Sequence, residues 1–182
     1  MSMKVQATVE DLYQLPEHGK AEIIDGELVT FMPTGGIPSR ASGNIYLSLR
    51  LYEQANGGGY AVPDNAGFIV DLPRRGSFSP DAAWWAGKLS MKFFAGAPAF
   101  AAEVRSENDY GALAEREMAD KRRDYFAAGT LVVWDVDLLG EEVVRVYRAA
   151  TPDDPTVYRR GEVAEAEPAV PCWRLPVDEL FR

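Results

Sequence analysis

The segment Phe100-Ala101-Ala102-Glu103-Val104-Arg105 has the length and composition of a buried β-strand, and it carries one acid among apolar residues. Residues 110–128 follow it with helical spacing of their apolar positions, and Gly129 ends that predicted helix. A second apolar strand is expected over residues 131–136. Strands that alternate with long helices favour an α/β fold, in which one mixed sheet has helices packed against it.

The rest of the chain adds further strands and a second long helix to this centre. Asp25-Gly26 is a strong turn signal between two expected strands. The other expected elements are listed here by residue range: a short helix at 8–15, the hairpin strands at 21–25 and 27–32, a helix at 40–55, strands at 60–62, 67–72, 78–85 and 143–147, a loop at 74–76, and an edge strand at 156–159 within a proline-rich tail.

Composition fits one domain over residues 1–182, because the chain has a mass of 20.1 kDa and 47% hydrophobic residues. The first ten residues lack the apolar segment of a signal peptide, and no apolar run approaches the roughly 20 residues of a membrane helix. With a single cysteine, the sequence predicts a cytoplasmic protein with no membrane partner. The net charge of −9 argues against a large non-specific DNA-binding surface, but it suits a carboxylate site that binds cations.

Two acids lie in or beside apolar strands. Asp81 heads the stretch Asp81-Ala82-Ala83-Trp84-Trp85, and Glu103 lies inside its own strand. A buried carboxylate is costly unless it is paired or bound to a metal. Because strand side chains alternate, Glu103 and Arg105 share one face. An ion pair between Glu103 and Arg105 therefore explains this strand as well as a metal site does.

Lys121 lies on the more apolar face of the helix predicted at residues 110–128. The face is defined by spacings of 4, 4, 3 and 4 residues between Tyr110, Ala114, Met118, Lys121 and Tyr125. The lysine amine can reach a cleft beside the sheet, extend to water, or pair with Glu117. Two acids and a lysine suit phosphodiester hydrolysis: the acids bind Mg²⁺ or Mn²⁺, the cation activates water, and the lysine orients water or neutralises charge.

Several segments, taken in order, resemble one known family. They are Thr8-Val9-Glu10-Asp11-Leu12, Ala21-Glu22-Ile23-Ile24-Asp25-Gly26-Glu27-Leu28, Pro80-Asp81, Glu103-Val104-Arg105-Ser106, Lys121 with Tyr125 and Gly129, and Val133-Trp134-Asp135-Val136. This order is similar to that of the Uma2 family, a member of the PD-(D/E)XK nuclease superfamily. The resemblance implies a restriction-endonuclease-like fold, a central mixed β-sheet flanked by helices, and a Mg²⁺- or Mn²⁺-dependent endonuclease acting on DNA.

The resemblance also assigns site residues. Asp81 matches the motif aspartate and Glu103 the motif glutamate, so these two are the implied metal ligands. The classical lysine position is Arg105 here, and the resemblance points instead to Lys121. Glu22 matches a further acid of the family and is a catalytic candidate, although a plain surface charge on a hairpin explains it equally well. Restriction-like folds commonly pair to cut two strands, which makes a homodimer the expectation by analogy.

One departure from the family pattern leaves activity open. Many members have a histidine in the stretch that matches residues 36–40, whereas the only histidine here is His18, in a separate loop. A non-catalytic interaction module that keeps the fold is therefore the alternative to a nuclease, and a structural ion-pair cluster is a third possibility. If the chain binds DNA, Arg74, Arg75 and Arg105 are the expected contacts to the phosphate backbone.

Overall fold

The computed structural model describes residues 6–15 and 19–182, as a mixed α+β protein. The helices are α1 (Val9–Tyr13), α2 (Gly36–Asn56) and α3 (Ala112–Ala127), with a final 3₁₀ helix at Val177–Phe181. The strands are β1 (Ala21–Ile24), β2 (Glu27–Thr30), β3 (Tyr60–Pro63), β4 (Phe68–Leu72), β5 (Arg75–Phe78), β6 (Ala82–Trp85), β7 (Phe94–Ala95), β8 (Phe100–Val104), β9 (Val132–Val136), β10 (Val144–Arg148), β11 (Thr151–Tyr158), β12 (Val163–Ala166) and β13 (Val170–Pro176).

The centre of the fold is a six-stranded sheet in the order β11-β10-β9-β8-β6-β3. Strands β8 and β9 run parallel, with Glu103 opposite Asp135, because α3 connects them on one side of the sheet. The other neighbouring strands are antiparallel. The predicted central mixed sheet with flanking helices is therefore confirmed.

Alternation along β6 and β8 gives the central sheet two different faces. Ala82, Trp84 and Ala102 point to one face, where they pack with α2 and the C-terminal strands. Ala83 and Ala101 point to the other face, where Tyr125 of α3 and aromatic residues of a second sheet cover them. Asp81 and Glu103 follow the second alternation, so both acids belong to the α3 side of the sheet.

The second sheet, in the order β2-β1-β5-β4-β7, corrects two predictions. Residues 78–85 are not one strand: the chain leaves this sheet after Phe78, passes through Ser79–Asp81, and enters the central sheet as β6. The loop predicted at residues 74–76 is shorter: Arg74 lies in a turn, whereas Arg75 and Gly76 belong to β5, because Arg75 pairs in register with both Ile24 and Leu72. The break matters because it places Asp81 at the point where the two sheets meet.

The C-terminal tail is more regular than predicted. The edge strand expected at residues 156–159 is β11, which begins earlier, at Thr151, and ends at Tyr158. After it, β12 and β13 form a hairpin that was not predicted. Prolines are accommodated because β11 lies at the edge of the central sheet and the hairpin has only two strands. The signal that outweighs the prolines is alternation at Trp173, Leu175 and Val177, all buried in the main core.

Local sequence features explain where helices α1 and α2 begin. Thr8 caps α1 through a reciprocal pair of hydrogen bonds with Asp11. Helix α2 starts at Gly36, four residues before the predicted start, because Pro38 in a first turn sacrifices no helical hydrogen bond. Within the described residues, none of the helices is long and apolar enough to cross a membrane.

Candidate functional site

Asp81 and Glu103 lie beside each other at one end of the paired strands β6 and β8. The backbone N–H of Asp81 donates to the carbonyl of Ala102 at 3.0 Å, which continues the antiparallel pairing of the two strands. The N–H of Val104 then donates to Oδ2 of Asp81 at 2.7 Å. The aspartate carboxylate is thus fixed against the strand residue that follows Glu103. The structure brings together the two acids that lie 22 positions apart in the sequence.

Two side chains of α3 form hydrogen bonds with the Glu103 carboxylate. The hydroxyl of Tyr125 donates to Oε1 at 2.6 Å, and the ammonium of Lys121 donates to Oε2 at 2.9 Å. The side chain of Glu103 keeps 17% of its surface exposed, so the group remains accessible to small ligands. Lys121 therefore faces the sheet and its acids; the alternative, a surface pair with Glu117, is not the contact that the structure shows.

Glu22 is a third acid of the same group, and the hairpin surface charge that explained it equally well is wrong. Its side chain is fully buried, and Oε1 lies 3.0 Å from the Lys121 ammonium. The same oxygen accepts the N–H of Ser79 at 2.9 Å, while Oε2 accepts from Arg75 at 2.6 Å. Lys121 thus bridges Glu22 of one sheet and Glu103 of the other.

Lys20 and Asp64 belong to this site although the sequence did not predict them. The Lys20 ammonium lies 2.6 Å from Oδ1 of Asp81 and 2.8 Å from Oδ1 of Asp64. Asp64 follows β3, the strand that pairs with β6, whereas Lys20 immediately precedes β1. The available signal is that Lys20 and Glu22 are two positions apart, a spacing that places both on one face of a hairpin. His18 lies outside the described residues.

The charges of this group set its protonation states. Burial, together with the nearby charges of Asp81 and Glu22, raises the pKa of Glu103 and outweighs the opposing effect of Lys121. Burial also pushes the pKa of Glu22 upward, but the positive charges of Lys121 and Arg75 outweigh it and lower the pKa overall. For Lys121, burial is outweighed by Glu103 and Glu22, which raise its pKa, so the lysine stays protonated.

Arg105 points away from Glu103, which contradicts the ion pair considered for this strand. Its guanidinium forms two hydrogen bonds of 2.7 Å with Asp135 on β9 and also pairs with Glu115 on α3. The parallel register explains the choice, because Glu103 is opposite Asp135 and Arg105 comes just after it on the same face. A carboxylate on the neighbouring strand meets the planar guanidinium in bidentate geometry.

The three arginines expected at DNA differ in accessibility. Arg105 and Arg75 are buried, with side chains 2% and 5% exposed, and both are paired with carboxylates. Burial and pairing leave neither guanidinium free for a phosphate, so these two DNA contacts are not supported. Arg74 has a side chain 65% exposed and pairs with Asp25 at the end of the β1–β2 hairpin. Of the three, Arg74 alone keeps a solvent-facing charge.

The donor set of the two acids suits Mg²⁺ or Mn²⁺. The described residues contain no group of three or more His, Cys, Asp or Glu side chains arranged to hold a metal ion. Mg²⁺ does not require such a cage, because it commonly binds one or two carboxylates and keeps its remaining waters for a phosphate. Asp81 and Glu103 supply hard oxygen donors of this kind at a partly exposed position.

We expect Tyr125→Phe to lower the free energy of unfolding by about 1.5–3 kcal/mol, the contribution of a hydrogen bond to a charged group. The ring, which stacks on Phe78 at a centroid distance of 4.0 Å, is retained, and only the hydrogen bond to Glu103 is lost. Urea unfolding measures the change. Tyr60→Phe, at a ring that is 38% exposed, is the control. Equal stability of the two variants would contradict the role of the Tyr125 hydroxyl.

Comparison with known proteins places this chain in a family. The model of the Uma2 family, described as "Putative restriction endonuclease", matches residues 9–178. The fold is similar to the crystal structure of a "putative nuclease belonging to DUF820" from Anabaena variabilis, with a TM-score of 0.74 and 18% identity, over 96% of this chain and 97% of that one. A comparison with curated proteins gives no match. Since the family model spans nearly the whole chain, this protein belongs to the Uma2 family.

Proposed function

We propose that this chain is a cytoplasmic, divalent-metal-dependent endonuclease that hydrolyses DNA phosphodiester bonds. The observation that carries the proposal is the position of Asp81 and Glu103 at adjoining strand ends, with the Lys121 ammonium held on Glu103. A pair of oxygen ligands next to a fixed positive charge is what phosphodiester hydrolysis requires. The family description and the fold similarity to a nuclease support the same activity.

Each residue of the group has a distinct role in this proposal. Asp81 and Glu103 would hold Mg²⁺ or Mn²⁺. A bound cation of this kind lowers the pKa of a water ligand and offsets charge on the phosphate. Lys121, kept protonated by its two carboxylates, orients the water or the scissile phosphate as a hydrogen-bond donor and cannot act as a base. Glu22, fixed by Arg75 and Ser79, positions the Lys121 ammonium.

Cleavage is expected to need Mg²⁺ or Mn²⁺ and to be weak on plain duplex DNA. The net charge of −9 reduces the non-specific electrostatic attraction to the phosphate backbone. Single-stranded, duplex and branched DNA should be assayed with each metal over a wide range of protein concentration. If all three substrates stay intact with both metals, this chain is not a nuclease.

Sedimentation velocity in the same buffers tests the expected homodimer.

Asp81→Asn is expected to abolish both cleavage and binding of Mn²⁺ measured by calorimetry. Asparagine keeps an oxygen that can accept the Val104 N–H, so the local fold is retained while the ligand charge is lost. Asp71→Asn, which removes the same charge from an exposed position of β4, is the matched control. Binding and cleavage that are equal in the two variants would remove Asp81 from the metal site.

A second candidate is a non-catalytic interaction module that keeps the nuclease fold. It is favoured by the acidic net charge and by the existing partners of Asp81, since one oxygen contacts Lys20 and the other accepts from Val104. Metal binding separates the two candidates. A nuclease binds Mn²⁺ in a manner that depends on Asp81, whereas a wild-type chain that binds no Mn²⁺ at this position would favour the interaction module.

A further inference from the structure

The ammonium of Lys20 occupies a special position in the acidic group. It contacts Oδ1 of Asp81 and Oδ1 of Asp64 at 2.6 and 2.8 Å, so one ammonium bridges two carboxylates through charge-assisted hydrogen bonds. The Lys20 side chain is 17% exposed, and the Asp81 side chain is 12% exposed. The contact is therefore shielded from water on most sides, unlike an ordinary surface salt bridge.

The backbone fixes where this ammonium can reach. The carbonyl of Lys20 accepts the N–H of Phe31 at 2.9 Å, so the residue continues the β1–β2 hairpin by one more pair. Asp81 is held equally firmly by the Val104 N–H. Asp64 is different: its side chain is 39% exposed, against 12% for Asp81. The lysine thus contacts two acids at once, the shielded Asp81 and the more solvated Asp64.

We infer that Lys20 is the counterion of the candidate cation site and that its ammonium pairs with Asp81 in the absence of metal. When a divalent cation binds, the ammonium leaves Asp81 and remains paired with Asp64. This inference rests on the proposed function, because it assumes that a cation binds Asp81 and Glu103. It assigns Lys20 and Asp64 as positioning residues that set how tightly the site binds its metal, a role that no part of the family resemblance supplies.

Electrostatics gives the physical reason for such a residue. Asp81 and Glu22 both lie close enough to Glu103 for their charges to act on it, and Lys121 is already shared by Glu22 and Glu103. The charge of Lys20 acts on Glu103 as well as on Asp81, and it opposes the rise in the pKa of Glu103. Without a cation, Lys20 therefore limits repulsion among the acids. With a cation present, two positive charges compete for Asp81, and the Lys20 ammonium can leave because Asp64 remains as its partner.

The test is a calorimetric titration with Mn²⁺ at fixed ionic strength, using wild type, Lys20→Met, Asp64→Asn and the double variant. Lys20→Met is expected to tighten binding about fivefold, which corresponds to about 1 kcal/mol at 1.4 kcal/mol per factor of ten. Lys88→Met removes the same charge from an exposed loop beyond the opposite end of β6, and it measures the general effect of net charge. Thermal unfolding without metal confirms that each variant is folded.

Asp64→Asn is expected to weaken Mn²⁺ binding about threefold when Lys20 is present and to have no effect in the Lys20→Met background, a coupling that a double-mutant cycle measures. Equal weakening in both backgrounds would overturn the role of Asp64. Binding that is unchanged or weaker in Lys20→Met would overturn the role of Lys20. Wild-type protein that binds no Mn²⁺ at an Asp81-dependent site would instead refute the proposed function, so the two failures are distinguishable.

Discussion

Lys121→Gln is expected to slow DNA cleavage by about 10²–10³-fold, the effect of removing one preorganised electrostatic donor, while the chain stays folded. The ammonium lies within 3.0 Å of Glu22 and Glu103 and is kept protonated by them. Glutamine removes the positive charge but keeps an N–H donor for Glu103. The loss should therefore fall on the rate of cleavage more than on stability.

The control for this variant is Arg116→Gln, which removes one positive charge from an exposed position of the same helix. Cleavage rates at saturating Mg²⁺ and the midpoints of thermal unfolding should be measured for both. Arg116→Gln should cleave like wild type. If Lys121→Gln also cleaves like wild type, Lys121 is not part of the catalytic group, and a lowered unfolding temperature of that variant would make it a structural partner of the acids.

The sequence predicted those parts of the fold that depend on local patterns. The apolar runs that became β8 and β9, and the turn at Asp25-Gly26, all carry strong short-range signals, and the structure has them. The strand prediction at residues 78–85 was wrong because both β5 and β6 are rich in buried residues, and composition alone cannot show that a chain changes sheets at Ser79–Asp81. That change depends on long-range pairing of β5 with β1 and of β6 with β8.

The candidate site also has residues that the sequence predicted and residues that it did not. The prediction that Lys121 faces the acids came from helical spacing and from the family resemblance, and the described contacts agree with it. Lys20 and Asp64 were not predicted, because Lys20 precedes β1 and Asp64 follows β3, and the two-residue spacing between Lys20 and Glu22 is by itself a weak signal. Arg75 was misjudged for a related reason: an arginine beside a turn normally faces water, but here the second sheet buries it against Glu22.

The choice of partner by Arg105 has a thermodynamic consequence. At the position where the classical motif has lysine, this chain has Arg105, which forms hydrogen bonds with Asp135. Glu103 is instead paired with Lys121. The two cations on this face thus have separate partners, one on each of the strands β8 and β9. Removing a structural charge should lower the stability of the protein, whereas removing a catalytic charge should lower the rate of cleavage. Variants of Arg105 and Lys121 can therefore be compared directly.

Arg105→Met is expected to lower the free energy of unfolding by about 3–5 kcal/mol, the cost of breaking a buried ion pair by removing one partner. Asp135 would keep a side chain 2% exposed, and its remaining cation, Arg122, lies 3.8 Å away. Urea unfolding measures the loss, and the matched control is Arg116→Met on the exposed surface of α3. The double variant Arg105→Met/Asp135→Asn should regain part of the stability, since it no longer buries an uncompensated charge. A folded Arg105→Met protein with wild-type stability and no cleavage would show the reverse: the strand position, and not Lys121, would hold the charge that acts on the phosphate.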